Sequence, residues 1–310
     1  MDTVLVTGAE GQIGSELVPA LRERPGVETV VATDISDPEV AGPTEKLDVR
    51  DREAIDAALA EYDVDTVFHL AAILSARGEQ KPQLAFEVNV EGFHNVLEAG
   101  RERGLERLVV PSSIAVFGPE TPSNPGEMTT LAPRTIYGIS KVFGENLGNY
   151  YSWNDQLDVR GVRLPGIISH KTLPGGGTTD YAVEVFYDAI EEGEYTYFVH
   201  DETELPMMYM SDAIRALIGI ATADREALEY PCSYNVGALS FTPKELTAAI
   251  QEHIPDFEAH YEPDERQTIA DSWPDAVDDS AAREDWGWDH SYDLEAMTAD
   301  MIEHLEEKLG

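Results

Sequence analysis

A run of β-favouring residues, Thr3-Val4-Leu5-Val6-Thr7, passes straight into Gly8-Ala9-Glu10-Gly11-Gln12-Ile13-Gly14. Glycine at every third position lets the backbone turn sharply at the end of a strand and re-emerge as a helix. The unpaired N–H groups and dipole of that helix start favour a negative group such as a pyrophosphate. A chain that begins this way is committed to a strand-turn-helix unit, and further strands must join it in parallel through helical crossovers.

The rest of the first two thirds keeps that rhythm. Strands are predicted at 3–7, 29–33, 46–49, 66–70, 107–112 and 158–164, separated by amphipathic helices at 12–23, 51–62, 83–103 and 136–153. Several strands are apolar on both faces, as parallel strands covered by helices on each side must be. The fold class expected is α/β, a Rossmann-type doubly wound parallel sheet with a smaller C-terminal substrate domain. After Pro165 the pattern changes to a glycine cluster at 175–177, a helix over 178–192, short strands, and a closing helix over 294–309. We expect residues 1–165 and 205–238 to form an NAD-binding domain, and 166–204 with 239–310 a substrate-binding domain.

Asp34 follows Gly14 at the end of the second strand, where a carboxylate accepts the ribose 2'-hydroxyl and repels a 2'-phosphate, so NAD is expected over NADP. Gly8, Gly11, Gln12, Ile13 and Gly14 would contact the dinucleotide, with Asp48 and Val49 near its adenine. Leu70, Ala71 and Ala72, after His69, put small residues at the sheet's switch point, where a cofactor needs room, while His69 itself is expected to be a packed strand residue. Tyr137 and Lys141 lie one helical turn apart, and Ser113 ends the fifth strand at the ligand-binding edge of the sheet. A phenol beside an ammonium, with its pKa drawn down from about 10, can take a proton from an alcohol while the carbinol carbon gives up hydride.

Composition excludes other classes. The formal charge of -39, from 60 acidic against 21 basic residues, rules against a nucleic-acid partner. Its even spread suggests a salt-rich cytoplasm. Val4-Leu5-Val6 is too short for a span and lacks a basic leader, so no membrane partner is expected. One cysteine, Cys232, and eight histidines without paired ligand spacing point to no metal.

The segments TGAEGQIG, HLAA, PSSIAVFG and YGISK resemble, in order and spacing, the extended short-chain dehydrogenase/reductases. That resemblance implies Ser113, Tyr137 and Lys141 as catalytic residues and Asn89 as a support of the active site; Ile167 is placed at the cofactor. The runs 164–186, 207–212, 266–274 and 282–288 look like the short-chain-type L-threonine 3-dehydrogenases, which implies L-threonine as the small-molecule partner. Ser75 resembles a substrate contact. Gly177, Thr178 and Thr179, at the predicted helix start after the glycine cluster, would cradle the substrate carboxylate, with Lys171 either adding charge there or facing solvent. A nucleotide-sugar epimerase or dehydratase is the alternative reading, and a non-catalytic NAD-sensing protein a more distant one. In the resembled family the helices at 83–103 and 136–153 pair as a four-helix bundle. With Phe86, Phe93, Phe143, Tyr150 and Tyr151 in surplus, a homodimer is expected.

Overall fold

The computed structural model describes residues 1–173 and 175–310. Pro174, inside the run 164–186, lies outside the described residues. The first half supplies strands β1 (Thr3–Thr7), β2 (Thr29–Asp34), β3 (Thr44–Lys46), β4 (Thr66–His69), β5 (Arg107–Val109), β6 (Ser112–Ser113), β7 (Val159–Arg160) and β8 (Val162–Leu164). Six of them form one parallel sheet in the order β3-β2-β1-β4-β5-β7. The chain winds outward from β1 in both directions, so a crevice opens at the ends of β1 and β4.

Two strands read as continuous are interrupted. The 107–112 strand breaks at Val110-Pro111, since proline has no N–H for the ladder, and resumes as β6. The 158–164 strand breaks at Gly161, whose N–H goes to the Pro231 carbonyl, where a Cβ would overlap the Val110 carbonyl oxygen. Beyond both breaks β6 and β8 pair again in parallel, which carries Ser112 and Ser113 past the sheet's edge. The predicted third strand sits earlier, at 44–46, and Leu47 and Val49 turn into the core instead.

Helices α1 (Gly14–Arg22), α2 (Arg52–Glu61), α3 (Ser75–Gln80), α4 (Pro82–Phe86), α5 (Phe93–Arg103) and α6 (Ile136–Trp153) cover the sheet. On β1, Val4 and Val6 face one core with Leu17, Val18 and Leu21 of α1. Leu5 faces the other, with Ile55 of α2 and Val96 and Leu97 of α5. Full burial of each such side chain stabilises by about 1.5–3 kcal/mol. The helix predicted over 83–103 contains a π-helical stretch at Glu87–Gly92 that joins α4 to α5. Such widened turns re-aim a side chain, and here Asn89 is the one turned inward.

The second half adds β9 (Gly166–Ile168), α7 (Tyr181–Glu191), β10 (Glu194–Tyr197), β11 (Leu205–Tyr209), α8 (Met210–Thr222), β12 (Tyr234–Asn235), β13 (Leu239–Phe241), α9 (Pro243–Gln251), β14 (Glu258–Tyr261), α10 (Arg266–Ala270), α11 (Ser280–Trp286) and α12 (Leu294–Leu309). A third core gathers around Tyr181, Phe186, Phe241, Leu246 and Met301. Strand β11 serves two cores: Met208 belongs to that of α1 and α8, while Leu205, Met207 and Tyr209 belong to the third. Among the described residues no helix is long and apolar enough to cross a membrane.

Arg160 shows how the sheet edge is tied to α8. It is 1% exposed, pairs with Asp158 at 2.8 Å, and donates to the Ile220 and Ala223 carbonyls at the end of α8. Replacement by methionine leaves those carbonyls and Asp158 without their main donor. Arg160→Met is expected to lower unfolding stability by about 3 kcal/mol, read from the urea midpoint.

Candidate active site

A cleft lies where the ends of β1 and β4 meet β6, α6 and residues 164–167 and 177–180. Its walls carry Gly8, Gly11, Gln12, Ile13 and Gly14 on one side and Leu70, Ala72, Ser75, Ser113, Tyr137 and Lys141 on another. Ile167, Gly177, Thr178 and Thr179 complete it.

The glycine turn is shaped for a close-lying ligand. Gly8 has φ +71°, and a Cβ there would come within 2.8 Å of the Ala71 nitrogen; a Cβ on Gly14 would overlap the Gly8 carbonyl. Gln12 Nε2 is buried with no hydrogen-bond partner, an orphan donor facing the place where a pyrophosphate would sit. Asp34, at the end of β2, accepts the Glu10 N–H at 3.0 Å, which fixes its carboxylate beside the turn. These features fit a dinucleotide.

Tyr137 starts α6, where Thr135 caps the helix by accepting the Gly138 N–H. Burial pushes the phenol up to about 12, and hydrogen bonding by Ser113 pulls the other way. Ser113 Oγ also accepts the Ala115 N–H at 3.2 Å, so the hydroxyl is held at the strand end. Lys141 donates to the Pro111 carbonyl at 2.8 Å, and its Nζ lies 5.5 Å from the Tyr137 ring centre. Burial brings the ammonium down to about 8, while Glu145 opposes that. The expectation that Lys141 depresses the phenol therefore needs correction: burial outweighs it, and both side chains lean toward their neutral forms.

Asp48, Val49, Ala71, Asn89 and Asp34 lie outside the cleft wall. Asp48 is bound by Arg50 at 2.6 Å on the surface, and Asp51 is the residue that caps α2. Val49 is buried against the Gly92 position. Ala71 donates to Thr7 Oγ1 at 3.3 Å. Asn89 accepts the Ile73 N–H at 2.8 Å, donates to the Ile73 carbonyl at 2.9 Å and reaches Ser140, so it braces the 70–74 loop against α6. His69 is a packed residue, stacked on Phe93 and bonded to Thr7, with its pKa pushed down to about 3 by burial.

The carboxylate cradle differs from expectation. Helix α7 begins at Tyr181, not at Thr178, and the N–H groups of Gly176 and Gly177 both donate to Asp180, at 2.9 and 2.6 Å. The chain's own carboxylate takes the donors assigned to a substrate carboxylate. Thr178 instead offers its hydroxyl, 3.5 Å from Ser75 Oγ across the cleft. Lys171 is engaged elsewhere, paired with Glu16 at 3.2 Å.

Residues 4–237 match the NAD dependent epimerase/dehydratase family. This chain belongs to that family. An uncharacterized epimerase/dehydratase of Staphylococcus aureus (strain MRSA252) is 47% identical over 315 residues, covering 99% of this chain and 98% of its own. Among solved structures, a GalE-like L-threonine dehydrogenase from Cupriavidus necator in its holo form shares 48% identity with a TM-score of 0.95, over 98% of this chain and 99% of that one. A monomeric L-threonine 3-dehydrogenase from a metagenome shares 46% identity with a TM-score of 0.96, over 99% of this chain and 100% of that one. NAD is the cofactor of this family, in keeping with the glycine turn and Asp34.

Several wall residues were given no site role from the sequence, Trp273 and Asp180 among them. Trp273 arrives from just beyond α10, and no local pattern marks it. Asp180 sits directly after the two threonines, and an acid three residues past a glycine pair is a recognisable anion for their amides. Burial raises its pKa to about 6, against the Gly176 and Gly177 hydrogen bonds that lower it. A carboxyl raised in the folded state contributes stability that is complete below its unfolded pKa and is lost as pH climbs through its folded value. Asp180→Asn should therefore flatten the fall in stability between about pH 4 and pH 6, measured by thermal unfolding across that range against the parent chain.

Proposed function

We propose that this chain is an NAD-dependent L-threonine 3-dehydrogenase that oxidises the β-hydroxyl of L-threonine to give L-2-amino-3-oxobutanoate. The observation that carries this reading is likeness over the whole chain, including the C-terminal half that supplies Thr178, Thr179 and Trp273, to proteins described as L-threonine dehydrogenases.

Tyr137 takes the hydroxyl proton as base, and Ser113 hydrogen-bonds the reacting oxygen. NAD held in the cleft would supply the acceptor for the C3 hydride, and its positive nicotinamide would favour the phenolate that burial alone disfavours. Lys141, anchored on the Pro111 carbonyl at 2.8 Å, holds the cofactor ribose and adds positive charge near the phenol. Gly8, Gly11, Gln12, Ile13, Gly14 and Ile167 hold the dinucleotide, Asp34 its adenosine ribose. Leu70, Ala71 and Ala72 leave room for it, and Asp48 and Val49 shape the adenine end from outside the cleft wall. The hydroxyls of Ser75 and Thr178, with Thr179, orient the amino acid, and Gly177 lines the cleft beside them. Residues 1–165 with 205–238 would bind NAD, and 166–204 with 239–310 the substrate.

Association is proposed on the exposed apolar face of α4 and α6. Phe86, Ile139, Phe143, Tyr150 and Trp153 stand in solvent there, whereas Phe93 and Tyr151, expected among them, are buried at 2% and 6% exposure. Once packed in the sheet-facing core, those two leave a narrower stripe that still suits a two-fold helix pairing. The spread of acidic charge supports work in a salt-rich cytoplasm, where screening relieves self-repulsion.

With L-threonine and NAD at high salt, NADH formation is expected. Turnover of a UDP-sugar in its place would overturn the reading. Tyr137→Phe should lower kcat by about 100- to 10,000-fold while NAD affinity is kept, checked by steady-state rates and cofactor titration. Sedimentation at high salt should give a dimer; a monomer under those conditions refutes the proposed α4 and α6 pairing.

A further inference from the structure

A strip of chain, residues 169–172, leaves the end of β9 and leads toward the cleft wall at 177–180. It lies in no helix or strand, so hydrogen bonds from side chains fix its course. On one side it is held by α7, β11 and α12. The His170 carbonyl accepts from Tyr187 at 3.1 Å and from Lys308 at 3.2 Å, the Lys171 carbonyl accepts from Lys308 at 3.0 Å, and His170 Nδ1 lies 2.8 Å from the Tyr209 hydroxyl. On the other side, among the described residues, its polar contacts all end on α1. Ser169 donates to Glu16 at 2.5 Å, Lys171 pairs with Glu16 at 3.2 Å, and Thr172 Oγ1 lies 3.2 Å from Ser15 Oγ. None of these five residues lines the cleft.

The directions of these bonds are set by the groups themselves. The Ser15 hydroxyl donates to the Gln12 carbonyl at 3.1 Å, so toward Thr172 its oxygen accepts and Thr172 is the donor. The Ser169 hydrogen goes to Glu16, which leaves the Ser169 oxygen for the Lys171 N–H at 3.1 Å. The line from Thr172 through Ser15 thus ends on Gln12, whose side-chain amide is the buried donor left unpaired at the cofactor wall. Glu16 sits in the first turn of α1, where the helix dipole favours an acid, and is 9% exposed. A buried carboxylate adds little net stability over an apolar side chain of similar size. What Glu16 supplies is a fixed acceptor for Ser169.

We infer that Glu16 and Ser15 are positioning residues through which NAD, seated on the glycine turn, steadies the strip that feeds the substrate wall. NAD against Gln12 and Gly14 orders the turn, and the acceptors on Ser15 and Glu16 are ordered with it. The strip then docks onto partners that have already lost their freedom, so it pays less to be held. The docked strip delivers Gly177, Thr178 and Asp180 to the cleft. By linkage, a substrate that needs that wall in place tightens NAD by the factor by which NAD tightens the substrate. Lys171, with its side chain 54% exposed, adds little to the clasp beside the buried Ser169 bond. The identity of that substrate as L-threonine rests on the function proposed above; the effect of NAD on the strip does not.

Hydrogen exchange on the full chain, with and without NAD, tests the clasp. NAD should slow exchange across 169–173 by about 5- to 150-fold, as well as across the glycine turn. Glu16→Ala should lose the slowing at 169–173 and keep that at the turn. Thr172→Val, close in shape and half-buried, should reduce it at least about threefold, and it serves should Glu16→Ala fail to fold. In steady-state rates at saturating NAD, each variant should raise KM for L-threonine by about 5- to 150-fold with kcat little changed, and the double variant should fall short of the product of the two. A purely structural loss would instead lower kcat through inactive protein and leave KM alone. That outcome, equal slowing in variants and parent, or no slowing in the parent overturns the clasp. If the parent fails to oxidise L-threonine, the proposed substrate falls, and the exchange result alone decides the clasp.

Discussion

The ion pair between Arg163 and Glu145 holds the active-site end of the sheet together. Both guanidinium contacts are 2.8 Å, and the two side chains are 2% and 3% exposed. Glu145 also accepts from Ser112, and Arg163 reaches the Glu127 carbonyl and Asn235. One buried charge pair thus joins α6, β6, β8 and β12. Such a pair adds little net stability over an apolar substitute, because desolvation offsets the attraction, but loss of either partner strands a buried charge. Its value here is positional. Ser112 is bonded to Glu145 while Ser113 faces the cleft, and Lys141 sits one turn before Glu145 on the same helix, so Tyr137, Lys141 and Ser113 are registered by a single fixed point.

The electrostatics of the cleft follow from burial more than from neighbouring charge. The phenol of Tyr137 is raised and the ammonium of Lys141 lowered, each by desolvation first. Asp180 is shifted the same way and is steadied by two glycine amides. A cleft of this kind disfavours every isolated ion, so an ion that enters gains from meeting its opposite there. That suits chemistry in which a proton and a hydride leave one carbon–oxygen unit together.

Much of this was legible in the sequence where the signal is local. The strand and turn of residues 3–14, the capped start of α6 and the helical Tyr137 and Lys141 pair are set by neighbours within a few positions. Features decided across the chain were not. Thr178 and Thr179 look like helix caps, but the more strongly accepting Asp180 carboxylate takes the glycine amides and moves the start of α7 to Tyr181. Phe93 and Tyr151 sit on helices rich in apolar residues, and only tertiary packing decides which of those face inward. Trp273 reaches the cleft through an approach between segments that no periodicity records.

Strand β11 sends Met208 into one core and Leu205, Met207 and Tyr209 into another, with β9 beside it doing the same through Ile167 and Ile168. Two hydrophobic cores that own alternate residues of one strand cannot melt one at a time, since releasing the strand from either exposes apolar surface of both. The two cores are therefore bound into a single cooperative unit, and loosening of one is felt as loss of order in the other.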